Sequence, residues 1–207
     1  MSSDAVPRSR VRATTSKERL FAASMTLLGQ RGINSVSVEE IARAAGVSKG
    51  TVYYNFGSKD SMIGAMLEFG AQSLLDELEQ DAAEPEGLKA LQAMVLSAFR
   101  FVQAYPSYAQ LWISEQQRGE SPWSADVDKF RRLITEQIAA VLRRTVAVPE
   151  PLLIASAKAM FGAALLTARE RALSDPMPDL GTCVQAVMAT VYGLQQLASG
   201  TYRFQDS

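Results

Sequence analysis

An all-α fold is predicted, and three observations predict it. Apolar residues recur at helical spacing through most of the 207-residue chain. Proline and glycine fall between those periodic segments, at Pro85/Gly87, Pro106, Gly119/Pro122, Pro149/Pro151 and Pro176/Pro178. No segment alternates apolar and polar residues well enough to read as a strand.

The elements follow in order. Residues 1–13 are polar and arginine-rich and read as a disordered N-terminal arm, with no apolar run behind Arg8, Arg10 and Arg12 to make a secretory signal. The first helix opens on a capping box, Thr15 with Glu18, carries Leu20, Phe21, Met25, Leu27 and Leu28, and stops near Gly32. Further helices are predicted over 37–45, 48–55, 58–80, 87–104, 107–117, 124–145, 150–173 and 179–198. The apolar stretch Leu152 to Ala168 is Ala/Gly-rich and broken by Ser156 and Lys158, so it reads as a packed helix and not a membrane span.

Composition narrows the chemistry. The chain is 47% apolar and 21% charged, enough for a globular core. It has no histidine and a single cysteine, Cys183, which reads as a small buried hydrophobe. A Ser-His-Asp or Cys-His catalytic set, an intrachain disulfide and a Cys/His zinc site are therefore excluded. With no Gly-rich phosphate loop, metal cluster or convincing carboxylate pair, a non-enzymatic protein without cofactor is expected. A helical enzyme stays as the remote alternative. The expected setting is cytoplasmic, with no membrane partner.

Charge is uneven. Residues 1–60 carry nine Lys/Arg against five Asp/Glu, a balance of +4, whereas the remainder carries twelve against seventeen, or −5. A basic head on an acidic body suits a polyanion-binding head, although a solvated basic face gives the same count.

The segment from Val36 to Phe56 carries the most information. Ser37 and Glu40 form a second capping box, and Val36 and Ile41 stand where a hydrophobic staple would join them. Val38, Ile41, Ala42 and Ala45 make one apolar face on a helix of two turns. Gly46 supplies the left-handed residue for a sharp turn, and Ser48 caps the next helix at once. The pair is a helix-turn-helix over residues 37–56.

The second short helix leaves an unusual surface outside. Val52 and Phe56 face the core, so Lys49, Gly50, Thr51, Tyr53, Tyr54 and Asn55 remain for solvent or a partner. Glycine inside a helix costs about 0.5–1 kcal/mol relative to alanine, which makes sense at Gly50 if a bulky surface approaches the backbone there. A helix N-terminus offers free amides and partial positive charge to phosphates. Lys59, in the first turn of a helix capped by Ser58, is disfavoured by the helix dipole unless an anion sits opposite, which marks it as a phosphate clamp.

Residues 14–72 resemble the DNA-binding domain of the TetR (tetracycline repressor-like) family. The resemblance is carried by Arg31-Gly32, Ser37-x3-Ile41-Ala42, Ala45-Gly46-Val47-Ser48-Lys49-Gly50-Thr51-x-Tyr53 and Tyr54-x-Phe56-x-Ser58-Lys59-Asp60. It implies a helix-turn-helix DNA-binding domain over residues 14–74 and an effector-binding and dimerisation domain over 75–207. It also implies a homodimer on a pseudo-palindromic double-stranded operator, with the second short helix in the major groove. Ser37, Val38, Ser48, Lys49, Gly50, Thr51, Tyr53, Tyr54 and Lys59 then fall at or beside DNA. Asn55 departs from the histidine or tyrosine common there, and Arg43 is either a base contact or a solvated charge.

The body is read more loosely. Ala155, Gly162 and Ala163 give one long helix a small-residue face. The last helix carries two apolar stripes, one containing Val184, Val187, Val191 and Leu194, the other Cys183, Ala186, Thr190, Gly193 and Leu197. A helix with two stripes needs two apolar partners, so these two helices are the expected dimer seam, with Ala155, Gly162, Ala163, Val184, Val187, Val191 and Leu194 assigned to it. Met94, Phe99, Tyr105, Tyr108, Trp112, Trp123, Met160 and Phe161 are candidates to line a pocket for a small apolar or aromatic effector, against the plainer reading of ordinary core. Gln103, Ser114, Glu115, Gln116, Thr167 and Arg169 are the polar candidates. The expected function is a repressor released from its operator by a small molecule; an activator or an effector-independent regulator is the alternative.

Overall fold

In the computed structural model, residues 16–31, 35–117 and 122–200 are described. The predicted N-terminal arm and Thr15 of the first capping box lie outside them. The described residues form helices α1 (Ser16–Arg31), α2 (Val38–Ala45), α3 (Lys49–Phe56), α4 (Lys59–Ala82), α5 (Gly87–Ala104), α6 (Pro106–Gln117), α7 (Ser124–Thr145), α8 (Glu150–Leu173) and α9 (Leu180–Ala198), with no strand among them.

The head is built on helix ends that the sequence specifies. Ser37 Oγ accepts from the Glu40 amide at 3.2 Å, and the Ser37 amide donates back to Glu40 Oε2 at 2.8 Å. This reciprocal pair satisfies two amides that the helix start leaves without partners. Gly46 ends α2 at φ +68°, a left-handed conformation in which its amide and that of Val47 reach back to α2 carbonyls. Val36, Ile41, Val52, Met62, Ile63 and Met66 pack as the head core, each at most 1% exposed. Full burial of such side chains is worth about 1.5–3 kcal/mol apiece.

Helix α4 runs without a break from the head into the body. Its first half packs on α1 and α3, and the helix also packs on α5 and α7. A ring cluster seals the joint where α1 meets α6. Phe21 lies edge-on to Tyr105, Phe69 and Tyr108, with centroids at 4.8, 5.4 and 5.8 Å. Gly70 permits this approach, because a Cβ there would lie 2.6 Å from both the Phe21 and Tyr108 rings.

In the body, α5 and α7 lie against α4, α8 packs on α5, α6 and α7, and α9 lies outermost on α8 and α5. Here the structure corrects the expected seam. Val184, Val187, Val191 and Leu194 are 0–3% exposed, because that stripe docks α9 onto its own chain. The exposed face of α9 carries Ala186, Ala189, Tyr192 and Gly193. On α8, Ala155 is exposed and Gly162 and Ala163 are half-buried, alongside exposed Leu152, Ala159 and Leu166. Helix α8 is long and apolar enough to cross a membrane by length and composition alone. It packs against three body helices as well as α9, with most of its apolar window left uncovered within one chain.

Candidate nucleic-acid interface and effector cavities

Helix α3 is held by a single fully buried residue, Val52, with Phe56 half-buried behind it. Lys49, Gly50, Thr51, Tyr53, Tyr54 and Asn55 are all exposed, Tyr54 to 91%. A helix so lightly anchored presents most of its surface outward. Ser48 Oγ accepts from the Thr51 amide at 3.0 Å and shares a 2.7 Å hydrogen bond with Thr51 Oγ1. The Thr51 hydroxyl is thereby oriented at the exposed N-terminus of α3. Asn55 donates through Nδ2 to the Thr51 carbonyl at 2.6 Å. One of its two amide N–H groups is thus taken within the helix, while its side-chain carbonyl oxygen has no such bond among the described residues.

Gly50 has open space around it. The nearest atom to a Cβ built there is Ser48 Oγ at 3.7 Å, an ordinary contact. Nothing among the described residues requires glycine at this position.

Electrostatics around α3 hold a feature that the sequence reading did not anticipate. Lys49 is ion-paired with Glu39 of α2, and its Nζ lies 5.5 Å from the centroid of the Tyr53 ring. The bond to Lys49 holds the Glu39 carboxyl below its usual range, and Glu39 in turn raises the Lys49 ammonium. On the next residue, the Ser37 amide and then Arg31 lower Glu40 to about 2. Arg31 meets Glu40 at 2.6 Å.

Other expected contacts distribute around this face. Ser37 and Arg43 are exposed on α2, and Lys59 is half-buried in the first turn of α4. Val38 departs from expectation: its side chain is 3% exposed in the head core, because it belongs to the apolar face that docks α2. Only its backbone amide, in the first turn of α2, is left to meet a phosphate.

Two apolar cavities lie among the described residues of the body. One, of ≈ 60 Å³, is lined by Met94, Met160, Phe161 and aliphatic residues of α4, α5, α7 and α8. The other, of ≈ 40 Å³, is lined by Tyr108, Trp112 and Phe161 among others. Both share Leu74, Val102, Ile134, Phe161 and Leu165. Three of the eight expected residues line neither cavity. Phe99 is 1% exposed and serves as plain core. Tyr105 is drawn to Phe21 in the joint. Trp123, at the start of α7, donates its indole N–H to the Asp60 carbonyl at 3.1 Å, next to Lys59.

None of the polar candidates with described side chains lines either cavity. Gln103 and Arg169 instead bond Arg171 and Gln110. Glu115 and Gln116 have side chains outside the described residues. Sequence reasoning favoured conspicuous aromatics, which are prominent in the second cavity, whereas Leu, Val and Met form most of the wall of the first. Tyr108 carries a second role: buried, with its hydroxyl held well above the usual range by desolvation, it donates to the Leu67 carbonyl of α4 at 2.6 Å.

A capped helix pair presenting α3, joined through α4 to a helical body, defines a helix-turn-helix protein. The profile of the "Bacterial regulatory proteins, tetR family" matches residues 16–66, and in that segment the chain is similar to TetR-family regulators. It is 32% identical over 125 residues to the HTH-type transcriptional regulator BetI of Rhizobium meliloti, covering 56% of this chain and 60% of that protein. It is 28% identical over 100 residues to the HTH-type transcriptional repressor KstR2 of Rhodococcus jostii, covering 48% and 49%. The chain thus matches about half to three-fifths of the length of these curated relatives.

The fold extends further than the sequence likeness. A transcriptional regulator from Rhodococcus sp. RHA1 superposes with a TM-score of 0.74 at 25% identity, covering 89% of this chain and 98% of that one. The FadR regulator of Bacillus subtilis, solved in complex with stearoyl-CoA, superposes with a TM-score of 0.68 at 17% identity, covering the same 89% and 98%. At that identity the likeness is one of fold.

Proposed function

We propose that the protein is a sequence-specific DNA-binding transcriptional regulator, a repressor that leaves its operator when a small apolar molecule enters the body. One observation carries the reading: α3 offers Lys49, Gly50, Thr51, Tyr53 and Tyr54 to the outside while a single buried valine holds it. In this reading α3 enters the major groove, and Lys49, Lys59 and the amides at the starts of α2 and α3 meet phosphates. Thr51, Tyr53 and Tyr54 meet base edges and sugar. Arg43 and the Asn55 carbonyl oxygen lie at the rim of the same surface.

Two copies act together, each reading one half-site. The uncovered faces of α8 (Leu152, Ala155, Ala159) and α9 (Ala186, Ala189, Tyr192, Gly193) form the seam, since small residues let helices approach closely. Half-site spacing then follows from the seam. The KstR2 relative is named a repressor and the FadR neighbour holds an acyl-CoA, which supports repression and an apolar effector here. The protein works in the cytoplasm, as a soluble molecule.

Effector acts by population shift. Tyr108 and Trp123 tie α6 and the start of α7 to α4, so repacking around the cavities moves the helix that bears Lys59. Effector must favour the non-operator state, by about 1–3 kcal/mol of coupling.

The test is duplex selection from a randomised pool by the full chain, followed by titration on the selected sequence. Enrichment of a two-fold symmetric site is the expected result. Failure to retain any duplex at low ionic strength removes the reading. Once a site is in hand, release by added small molecules separates a ligand-responsive repressor from an effector-independent regulator.

A further inference from the structure

We propose that the groove between α6, α7 and α8 is the mouth of a site for an anionic amphiphile, a ligand with a long flexible apolar tail and a negatively charged head. The proposal deepens the effector-responsive reading above and rests on it.

The first observation is charge. The groove, of ≈ 880 Å³, is lined by three cations, Arg131, Arg132 and Lys158, against one acid, Glu136. Glu136 is taken up by Arg143 at 2.6 Å, and Arg131 is shared with Asp128 at 2.8 Å. Arg132 and Lys158 are exposed and have no ion-pair partner among the described residues. Residues 61–207 as a whole are net negative, at −5, so a concave basic patch stands against the trend of its own domain. A carboxylate or phosphate meets a guanidinium and an ammonium there with charge-assisted hydrogen bonds.

The second observation is what lies beneath. Phe161 and Leu165 line the groove and also both apolar cavities, so the basic mouth and the apolar interior share a wall. The interior cavities, at ≈ 60 and ≈ 40 Å³, are narrow. Sites for rigid drug-sized ligands run to about 300–1,000 Å³. A polymethylene chain is thin and bends, and it enters by repacking Met94 and Met160, whose unbranched side chains adapt readily. The tail then presses on Trp112, which meets Phe161 at 6.1 Å between centroids and lies one helical turn from Tyr108. Tyr108 holds the Leu67 carbonyl of α4, which gives the tail a route to the head.

A fatty carboxylate and an acyl thioester of a phosphorylated carrier share this chemistry, and the experiment separates them. Calorimetric titrations of the full chain use stearate, stearoyl-CoA, stearyl alcohol and CoA alone. Binding of stearate or stearoyl-CoA is expected, at least tenfold tighter than stearyl alcohol, with no binding of CoA alone. The tighter of the two anions identifies the source of the head group. The double variant Arg132→Gln/Lys158→Gln, both surface positions, is expected to lose tenfold or more for the anion and to keep its affinity for the alcohol. The proposal is overturned if no amphiphile binds, if the alcohol matches the anions, or if the double variant binds anion as the wild type does. A parallel duplex titration keeps the two readings apart. Amphiphile binding without duplex binding leaves this site and removes the regulator, and the reverse removes this site alone.

Discussion

Lys49, at the exposed start of α3, is ion-paired across the helix-turn-helix to Glu39 of α2, and its ammonium lies over the ring of Tyr53. The cation best placed to meet a phosphate is therefore partly neutralised by its own scaffold. A duplex bound as proposed would compete with Glu39 for it. Exposed pairs of this kind contribute little to stability, so the consequence lies in binding.

Glu39→Gln is expected to raise affinity for random duplex about three- to tenfold at 50 mM salt. It should also steepen the slope of log K against log[salt] by up to about 0.9, the increment for one added phosphate contact. The gain should vanish in the Lys49→Gln background. Equal gains with and without Lys49 would show that Glu39 acts by general repulsion.

Gly50→Ala separates folding from binding. A Cβ there meets only Ser48 Oγ at 3.7 Å, so the variant should fold and gain about 0.5–1 kcal/mol of helix stability. Affinity for the selected operator should fall tenfold or more, because in the proposed binding mode the methyl group would stand where the duplex approaches. Unchanged affinity in a gel-shift titration would place the duplex elsewhere.

Lys59→Ala and Thr51→Ala should differ in kind. The lysine variant is expected to weaken operator and random duplex alike and to flatten the salt slope by about 0.9. The threonine variant should lose operator affinity selectively. Loss of Thr51 also removes the 2.7 Å bond to Ser48 Oγ, so Thr51→Ser, which keeps the hydroxyl, should restore most of the preference. Parallel losses on both duplexes would reduce Thr51 to a backbone contact.

Ala189→Arg places a cation on the exposed face of α9. Light scattering is expected to show a dimer for the wild type and a monomer for the variant, with an unchanged helical circular dichroism spectrum. Retention of the dimer would move the seam away from α9.

Glu40 should give the head an acid limb. Its folded-state value is lowered to about 2 from 4.5, chiefly by the Ser37 amide and next by Arg31. A depressed carboxyl stabilises the fold above its unfolded value and loses that contribution as pH falls through the folded one. Stability should therefore decline between about pH 4.5 and 2, and Glu40→Gln should flatten that part of the profile in denaturant titrations. A variant with the wild-type acid profile would assign the decline to other carboxyls.

Much of the fold was legible because helix ends are written locally. The boundaries expected at 87–104, 124–145 and 150–173 coincide with α5, α7 and α8. Caps act within four residues, and Ser37, Glu40, Gly46 and Ser48 need no distant partner to specify a turn. The exposed character of α3 was equally readable, since Val52 and Phe56 account for its inward face. Position within the interface was less so, and Val38 shows why. A residue at a helix start can serve an anion through its amide while its side chain joins the core, and spacing alone does not rank the two.

The sequence by itself determined the all-helical architecture, the helix-turn-helix and the basic head on an acidic body, because capping, periodicity and net charge are properties of residues near one another in the chain. Only the tertiary structure decided which stripe of α9 turns inward, that Glu39 reaches Lys49, and where the body leaves space. Both stripes of α9 are apolar enough to be buried, and the packing of α5 and α8 selects one. A cavity is a failure of side chains from several helices to fill a volume together, so it belongs to no segment of the sequence.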